Sequence, residues 1–260
     1  MNKEKLVLIG NGMAGVRMLE ELLKLAPDKY DITVFGKESY GNYNRILLSA
    51  VLADEMSFDE IMLNDDRWYT DHNITLHKGN KVVRIDRKAR KVTAEGGTEW
   101  DYDRIILATG SDPIVIPVPG SKLPGVVTFR DIHDVNAMLE ASIHHRKAVM
   151  VGGGLLGLEG AHGLMKRGME VTVVHLRDAL MERQLDKSAA ELLKHSLEQR
   201  GLKILTEQET SAILGEDRVR GIRFKNGSEV EADLVVMAAG IRPNITLAQA
   251  AGLRCGRGIA

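Results

Sequence analysis

The chain has 260 residues and a mass of 28.6 kDa, with 35 Lys and Arg against 36 Asp and Glu. This length accommodates one large or two ordinary domains with a substantial core, which excludes a small scaffold held together by disulfides. With 44% hydrophobic and 27% charged residues, the composition is that of an ordered protein. The balanced charge argues against binding polyanions through net charge.

The single cysteine, Cys255, cannot form a disulfide within the chain. No C-x-x-C pair and no cluster of Cys and His has the spacing of a zinc or iron–sulfur site, so we predict no metal centre in this sequence. A reducing, cytoplasmic location fits this cysteine usage. The longest run of apolar residues and glycines, residues 148–158, is eleven residues long, against about 18 for a bilayer span, so no transmembrane helix is expected.

The first part of the sequence runs from an apolar stretch, residues 6–9, directly into the glycine pattern G-x-G-x-x-G. The stretch is apolar at every position rather than at alternate ones, which is typical of a parallel strand buried on both faces. Apolar residues then recur at helical spacing until Pro27 ends the pattern, and a second strand is predicted at residues 32–35. The glycine motif comprises Gly10, Asn11, Gly12, Met13, Ala14 and Gly15.

The same pattern recurs 142 residues later. An apolar strand at residues 148–151 leads into a second G-x-G-x-x-G motif, a helix follows with Gly168 as its expected C-terminal cap, and a strand is predicted at residues 171–174. The second motif contains Gly152, Gly154, Leu155, Leu156 and Gly157. Two copies, each with a strand before and a helix after, predict two β-α-β units of about 30 residues, each binding one dinucleotide.

The rest of the pattern places these units in a larger architecture. Three short strands between the motifs, at residues 81–85, 91–94 and 100–102, predict a small antiparallel β-meander. Buried strands ending in glycine are predicted at 104–110 and 233–240, and four of the six prolines lie in the stretch 113–124, the composition of a domain crossover. We predict an α/β fold of two Rossmann-like units with a ββα-type three-layer architecture. The expected divisions are 1–112, an inserted 113–240, and a return segment at 241–260.

The glycines have separate roles in such a motif. Gly10 and Gly152 permit the tight turn, Gly12 and Gly154 let the backbone approach a pyrophosphate, and the last glycine of each motif lets the helix pack on the strand. Backbone N–H groups at the helix start then face the phosphates.

An acidic residue after the second strand usually holds the ribose hydroxyls. Glu38 is the candidate in the first unit, with a solvated loop acid as the alternative. In the second unit the strand ends at His175, followed two residues later by Arg177, and no acid stands in place. Either side chain would tolerate a 2′-phosphate, so the sequence leaves both NADH and NADPH open.

The order of the motifs resembles the flavoprotein reductases with two dinucleotide-binding domains, of the pyridine nucleotide-disulfide oxidoreductase superfamily. The resemblance rests on both glycine motifs together with N-R-I-L-L-S at 44–49, A-T-G at 108–110 and A-G-I-R-P-N at 239–244. Within that family, residues 173–176, 180–186 and 252–258 resemble the N-terminal FAD/NAD(P)H module of the nitrite reductase large subunit. Ala50 stands where related ferredoxin and rubredoxin reductases often carry lysine, which also favours this branch.

The resemblance implies ligands and roles for individual residues. Residues 1–112 would be the first part of an FAD-binding domain, 113–240 an NAD(P)H-binding domain, and 241–260 the return to the first. Glu159 would face the nicotinamide carboxamide and is the predicted catalytic residue. The remaining FAD contacts implied are Glu38, Arg45, the backbone of Val83, Thr109, Gly110 and Arg130. The second glycine motif would bind NADH or NADPH, and Gly240 would lie at the return crossing between the domains. His175 and Gly240 are both predicted to be cofactor-binding residues.

The resemblance also implies a reaction and a partner. Hydride would pass from the nicotinamide to the flavin, and the electrons would continue to a downstream acceptor domain or subunit. Siroheme and an iron–sulfur cluster are expected only in a part beyond residue 260. The family's next strand, which carries an acid that anchors the flavin, would begin where this sequence stops, so we expect the chain to be a fragment that holds FAD poorly.

Two other functions remain open from the sequence. One is a free-standing NADH-dependent reductase of a ferredoxin or rubredoxin, and the other is a non-catalytic module that senses dinucleotides. Nucleic acid is not an expected partner, because the basic stretch 78–91 alternates with apolar residues as the outer face of exposed strands does. A membrane partner is not expected either.

Overall fold

The computed structural model describes residues 3–260, and its contacts divide the chain into two compact units. The first unit comprises Met1–Arg45, Asp59–Asp112 and Pro243–Ala260, and the second comprises Ile46–Phe58 and Pro113–Arg242. The chain therefore passes between the units four times.

The elements are short, and most strands are followed by a helix or by another strand of a meander. The helices are α1 (Met13–Leu25), α2 (Leu48–Leu52), α3 (Asp66–Asp71), α4 (Ile132–His144), α5 (Leu155–Lys166), α6 (Lys187–Gln199) and α7 (Thr246–Ala250). The strands are β1 (Glu4–Ile9), β2 (Tyr30–Phe35), β3 (Asn42–Tyr43), β4 (Met62–Asn64), β5 (Ile74–His77), β6 (Val82–Asp86), β7 (Lys91–Ala94), β8 (Glu99–Asp101), β9 (Arg104–Leu107), β10 (Ser111–Pro113), β11 (Val126–Thr128), β12 (Lys147–Val151), β13 (Glu170–Val174), β14 (Lys203–Leu205), β15 (Thr210–Gly215), β16 (Val219–Phe224), β17 (Glu229–Glu231), β18 (Leu234–Met237) and β19 (Ile241–Pro243).

The first unit is built on a four-stranded parallel sheet in the order β5-β2-β1-β9. Its central strand β1 is buried on both faces. Leu6 and Leu8 belong to the cluster that packs against α1 and α3, whereas Val7 and Ile9 belong to the cluster shared with the β6–β8 meander. A strand in this position gains burial on each face, about 1.5–3 kcal/mol per large side chain, which is why its sequence does not alternate.

The second unit repeats this plan with a five-stranded parallel sheet in the order β11-β18-β12-β13-β14. A second antiparallel meander, β15-β16-β17, packs on one face of the sheet. The prediction had only the meander between the motifs, so this sheet is a finding of the structure. Asn226-Gly227 lies in its β16–β17 turn, with Gly227 at φ 86°, and the Asn-Gly pair is the hairpin signal that could have indicated it.

The α/β fold and the two β-α-β units are confirmed. Helix α1 ends at Leu25, two residues before Pro27, and α5 ends at Lys166, two residues before Gly168. The predicted strand at 91–94 has the bounds of β7, and the other predicted strands of the two repeats differ from the observed ones by one to three residues at their ends.

Helix α2 packs in the second unit although it is encoded between elements of the first. The guanidinium of Arg167 donates through Nε to the carbonyl oxygen of Leu52 at 2.8 Å and through Nη2 to that of Val51 at 3.0 Å. The Leu52 side chain lies over Gly163 of α5, where a Cβ would be 2.7 Å from Leu52 Cγ. The glycine thus permits the close approach of the two helices.

Among residues 3–260, no helix has the length and apolar composition needed to cross a membrane. Within the same residues, no group of three or more Cys, His, Asp or Glu side chains is placed to hold a metal ion.

Candidate functional site

The first glycine motif forms the turn between β1 and α1 at the carboxyl edge of the four-stranded sheet. Gly10 has φ 115°, and a Cβ on it would lie 2.1 Å from the carbonyl oxygen of Ala108. A Cβ on Gly15 would lie 2.7 Å from the Gly10 oxygen. A Cβ on Gly12, by contrast, would be more than 4 Å from every heavy atom of the described chain outside its immediate neighbours. The turn requires Gly10 and Gly15, whereas Gly12 leaves free space that fits a ligand.

Gly12 is also the N-cap residue of α1, with extended backbone at φ −86° and ψ 174°. Among the described residues, no side chain caps this helix and no acid stands in its first turn. The first N–H groups of a helix have no intrahelical acceptor, and the helix dipole adds partial positive charge there. An uncapped start beside an open glycine is therefore suited to a pyrophosphate.

Asn11, between the two glycines, is held from two sides. Its side-chain oxygen accepts a hydrogen bond from Tyr69 Oη at 2.7 Å, and its carbonyl oxygen accepts one from Asn42 Nδ2 at 3.0 Å. Burial raises the pKa of Tyr69 to about 12, so this hydroxyl is a donor at neutral pH. The Asn11 Nδ2 atom is buried and has no partner among the described residues. A buried donor in this state fits an acceptor on a bound group.

Glu38 follows β2 and forms a small polar cluster. Its Oε2 accepts from Tyr43 Oη at 2.6 Å, and its Oε1 accepts from Arg45 Nη2 at 2.6 Å. The Arg45 guanidinium also lies over the Tyr43 ring, 4.8 Å from the centroid. The Glu38 side chain is 14% exposed, so it is a fixed carboxylate rather than a solvated loop acid. Two of its lone pairs are used, which leaves capacity for ribose hydroxyls.

The other candidates of the first unit lie on different elements. Val83 is 47% exposed and lies in β6 at the position where its pairing with β7 shifts register, so its backbone is outside the regular ladder. Thr109 and Gly110 follow β9 at the carboxyl edge. Thr109 Oγ1 donates to the Asn244 carbonyl oxygen at 2.7 Å, and the Asn244 N–H donates to that of Gly110 at 2.9 Å. This pair of bonds fixes the backbone at Gly110.

The second glycine motif repeats the first turn at the end of β12. Gly152 has φ 130°, and its Cβ would lie 2.4 Å from the Ala238 oxygen; a Cβ on Gly157 would lie 2.0 Å from the Gly152 oxygen. Gly154 caps α5 with extended backbone, and its Cβ would meet no heavy atom within 4 Å in the described chain beyond its neighbours. The turn is thus closely packed at Gly152 and Gly157 and open at Gly154, as it is at the corresponding glycines of the first unit.

Gly153, the middle residue of this turn, is hydrogen-bonded on both sides to the segment that follows β13. Its N–H donates to His175 Nδ1 at 3.0 Å, and its carbonyl oxygen accepts from the Met181 N–H at 3.0 Å. His175 Nε2 lies 3.1 Å from Glu182 Oε2. Because a backbone N–H can only donate, Nδ1 accepts, and the ring proton is on Nε2 and donates to Glu182. His175 is 9% exposed and holds the turn, whereas Arg177 is exposed.

The remaining candidates of the second unit lie on α5 and in the segments that follow β18 and β11. Leu155 and Leu156 open α5 and are 57% and 37% exposed, and Glu159 follows one turn later, half-buried. Gly240 has φ 117° and accepts at its oxygen from the Ile114 N–H at 2.9 Å. Arg130 follows β11.

The backbone at Arg130 is positioned by Asp134. The Arg130 N–H donates to Asp134 Oδ2 at 2.7 Å, and the Thr128 hydroxyl lies 2.9 Å from both carboxylate oxygens. Burial, together with the neighbouring Asp131, raises the pKa of Asp134.

The structure therefore gathers the candidates into two groups. In the first unit the glycine motif, Glu38, Thr109 and Gly110 lie where the parallel strands end, and Val83 lies on the meander. In the second unit the glycine motif, His175 and Gly240 share the corresponding edge. Four contributors were missed from sequence: Tyr43, Tyr69, Asp134 and Glu182. Only Asp134 had a local signal, since an acid three residues after Asp131 is typical of a helix N-terminus.

Two uncapped glycine turns on two parallel sheets define a protein with two dinucleotide-binding units. Comparison with known proteins agrees: the family model described as pyridine nucleotide-disulphide oxidoreductase matches residues 4–260. The chain belongs to this family.

The curated relatives are longer than this chain. It is 51% identical over 259 residues to a nitrite reductase [NAD(P)H] of Bacillus subtilis strain 168, which covers 100% of this chain and 32% of that protein. It is 48% identical to the assimilatory nitrate reductase electron transfer subunit of the same organism, covering 100% and 34% respectively. The chain thus spans about a third of the length of these relatives.

Solved structures share the fold closely. A ferredoxin reductase for the CYP199A2 system of Rhodopseudomonas palustris superposes with a TM-score of 0.92 at 28% identity, over 99% of this chain and 64% of that one. An NAD-dependent persulfide reductase of A. fulgidus gives 0.92 at 30% identity, over 97% and 49%.

Proposed function

We propose that the chain is an NAD(P)H-dependent flavoprotein oxidoreductase module, with FAD bound by the first unit and NADH or NADPH by the second. The observation that carries the proposal is the repeated turn. In each unit two glycines are required by close backbone contacts, and a third leaves open space at an uncapped helix start. Such a turn accepts a pyrophosphate.

The residues of the first unit fit FAD. The N–H groups from Gly12 to Gly15 would hold the pyrophosphate, and the orphaned Nδ2 of Asn11 would donate to the cofactor. Glu38, fixed by Tyr43 and Arg45, would accept ribose hydroxyls. The backbone of Val83 would meet the adenine, and Thr109-Gly110 the flavin side. Bound FAD would accept the hydride, so the chain needs to position the two cofactors and does not need an acid–base pair of its own.

The second unit would hold the nicotinamide dinucleotide. The N–H groups after Gly154 would face its pyrophosphate, with Leu155 and Leu156 offering apolar surface at the same helix start. Glu159, one turn further along α5, would accept from the carboxamide and so fix the face of the nicotinamide from which the hydride leaves. The roles of Gly240 and Arg130 stay predictions from the family resemblance.

The wider context is proposed from the relatives. We place the chain as the part of a nitrite-reductase-like protein that takes electrons from NAD(P)H and passes them to an acceptor domain or subunit. Siroheme and iron–sulfur chemistry would belong to that acceptor. A cytoplasmic location agrees with the single cysteine and the nicotinamide substrate.

The test is anaerobic stopped-flow mixing of the FAD-loaded chain with NADH and with NADPH. Loss of flavin absorbance near 450 nm, about the usual flavin maximum, is expected with at least one of them. The Gly154→Ala variant is the matched control, because it should keep FAD and lose the fast phase. A folded, flavin-loaded chain that is not reduced would contradict the oxidoreductase and favour the sensing module. Reduction of an added ferredoxin or rubredoxin at catalytic rates would favour a free-standing reductase.

A further inference from the structure

The second unit lacks an acid where a dinucleotide-binding unit usually has one, immediately after the second strand. That position is His175, and its side chain is turned onto the glycine motif, where Nδ1 accepts from the Gly153 N–H. With Nε2 donating to Glu182, both ring nitrogens are engaged. His175 is therefore a structural link between the motif and Glu182 rather than a free ligand for the ribose.

The loop that carries Glu182 is held to the same turn at two further points. The Met181 N–H donates to the Gly153 oxygen, and Met181 adopts φ 52°, a left-handed conformation that a non-glycine residue rarely adopts. The Leu180 side chain is 1% exposed and lies where a Cβ on Gly153 would be, 2.5 Å from its Cδ2. These contacts fix the Glu182 backbone relative to the glycine motif.

The carboxylate of Glu182 therefore lies at the end of β13, although it belongs to the following loop and not to the strand. Glu182 is 37% exposed in its side chain, and one of its oxygens accepts from His175. A carboxylate offers about four lone-pair sites, so this one retains capacity for hydroxyl donors.

We propose that Glu182, positioned by His175, takes the part of the missing strand-end acid: it accepts the adenine-ribose hydroxyls and makes the second unit selective for NADH over NADPH. The inference rests on the proposed function. A 2′-phosphate would bring two negative charges against this carboxylate, and like charges placed together cost binding energy. The exposed Arg177 and Arg183 of the same loop are the opposing influence, because arginines attract a 2′-phosphate.

The experiment uses ligands that cannot be oxidised or reduced: ADP-ribose and 2′-phospho-ADP-ribose, titrated into the whole chain by calorimetry. The wild type should bind ADP-ribose more tightly by about tenfold or more. In Glu182→Gln the ratio of the two affinities should fall to within about threefold. Glu198→Gln, which removes an exposed carboxylate of α6, is the matched control and should keep the wild-type ratio.

A second variant separates positioning from loop stability. His175→Asn keeps a side-chain oxygen for the Gly153 N–H but is too short to reach Glu182, so the ratio should fall while the unfolding midpoint stays close to that of Glu182→Gln. Equal or tighter binding of 2′-phospho-ADP-ribose by the wild type, or an unchanged ratio in Glu182→Gln, would overturn the inference and assign selectivity to the arginines. Binding of neither ligand would instead overturn the proposed function of this unit.

Discussion

At the scale of single residues, the glycines of one motif differ in what they contribute. Gly157 is required by the fold, because a Cβ there would be 2.0 Å from the backbone oxygen of Gly152. Gly154 is not required by the fold, because its Cβ would enter open space and its φ of −85° suits alanine. Residues that look equivalent in the pattern are thus expected to respond differently to the same substitution.

We expect Gly157→Ala to lower the free energy of unfolding by about 1–3 kcal/mol, the usual cost of overpacking. Gly154→Ala should leave it unchanged or raise it by about 0.4–1 kcal/mol, because alanine restricts the unfolded chain. Urea titrations of both variants measure the difference. Equal stability of the two would contradict the packing assigned to Gly157.

Tyr69 gives a pH dependence of stability. Its pKa is about 12 in the folded chain because of burial, against about 10 in the unfolded chain. Between these values the unfolded state loses the proton and the folded state keeps it. The contribution of Tyr69 to the free energy of unfolding therefore falls as pH rises from about 10 to about 12, by up to about 1.4 kcal/mol per pH unit.

The comparison is Tyr69→Phe, which lacks both the titration and the hydrogen bond to Asn11. The free energy of unfolding of Tyr69→Phe should be about 1 kcal/mol below that of the wild type at pH 8. This difference should become smaller as pH rises through 10. Tyr30→Phe, at a half-buried tyrosine of β2, serves as the control. A gap that stays constant in urea titrations from pH 8 to pH 11 would argue against the buried phenol.

At the scale of elements, the loop 181–186 ends in a helix cap. Asp186 precedes α6, and its Oδ1 accepts from the Ala189 N–H at 2.8 Å. The helix begins at Lys187, immediately after this residue.

Asp186→Ala should therefore destabilise the chain by about 1 kcal/mol, within the usual range for a lost cap. Asp186→Asn keeps an oxygen acceptor and should restore most of that stability. Thermal unfolding of the three proteins provides the measurement, and a full loss in the asparagine variant would point to charge rather than capping.

The elements that the sequence predicted are those with strong local signals. The continuous apolar runs of β1 and β12, the glycine turns after them and the stops at Pro27 and Gly168 each follow from local chemistry. The second meander was missed because its strands are short and its central strand β16 mixes two arginines and a glycine with its apolar residues. The apolar residues of the meander are buried by packing on the parallel sheet of the second unit. This is a contact between distant parts of the sequence, so it leaves no local pattern.

The candidate site was predictable to the same extent. Both glycine motifs, Glu38 and His175 are at positions that a strand end defines. The partners of these residues come from elsewhere in the chain: Tyr69 lies 58 residues from Asn11, and Glu182 lies seven residues from His175, in a loop that contains the left-handed Met181. Spacing does not encode such contacts, and so the ring orientation of His175 became visible only in the structure.

At the scale of the whole molecule, the duplication predicts two ligands with separable sites. Gly12→Ala should weaken FAD binding by about tenfold or more and leave ADP-ribose binding intact, whereas Gly154→Ala should do the reverse. Fluorescence titration with FAD and calorimetry with ADP-ribose measure the two affinities. Parallel loss of both ligands in either variant would show that the motifs do not act separately.

The apolar character of β1 on both faces has a consequence for how the first sheet assembles. A slip of one residue would exchange one apolar set for the other, so hydrophobicity does not distinguish the correct alignment from its neighbours. Gly10 does, because Ile9 or Asn11 in its place would drive a Cβ into the carbonyl of Ala108. The lack of a side chain at Gly10 therefore fixes the register of β1 against β9. The same glycine that permits the tight turn before α1 also selects the correct pairing of the two strands.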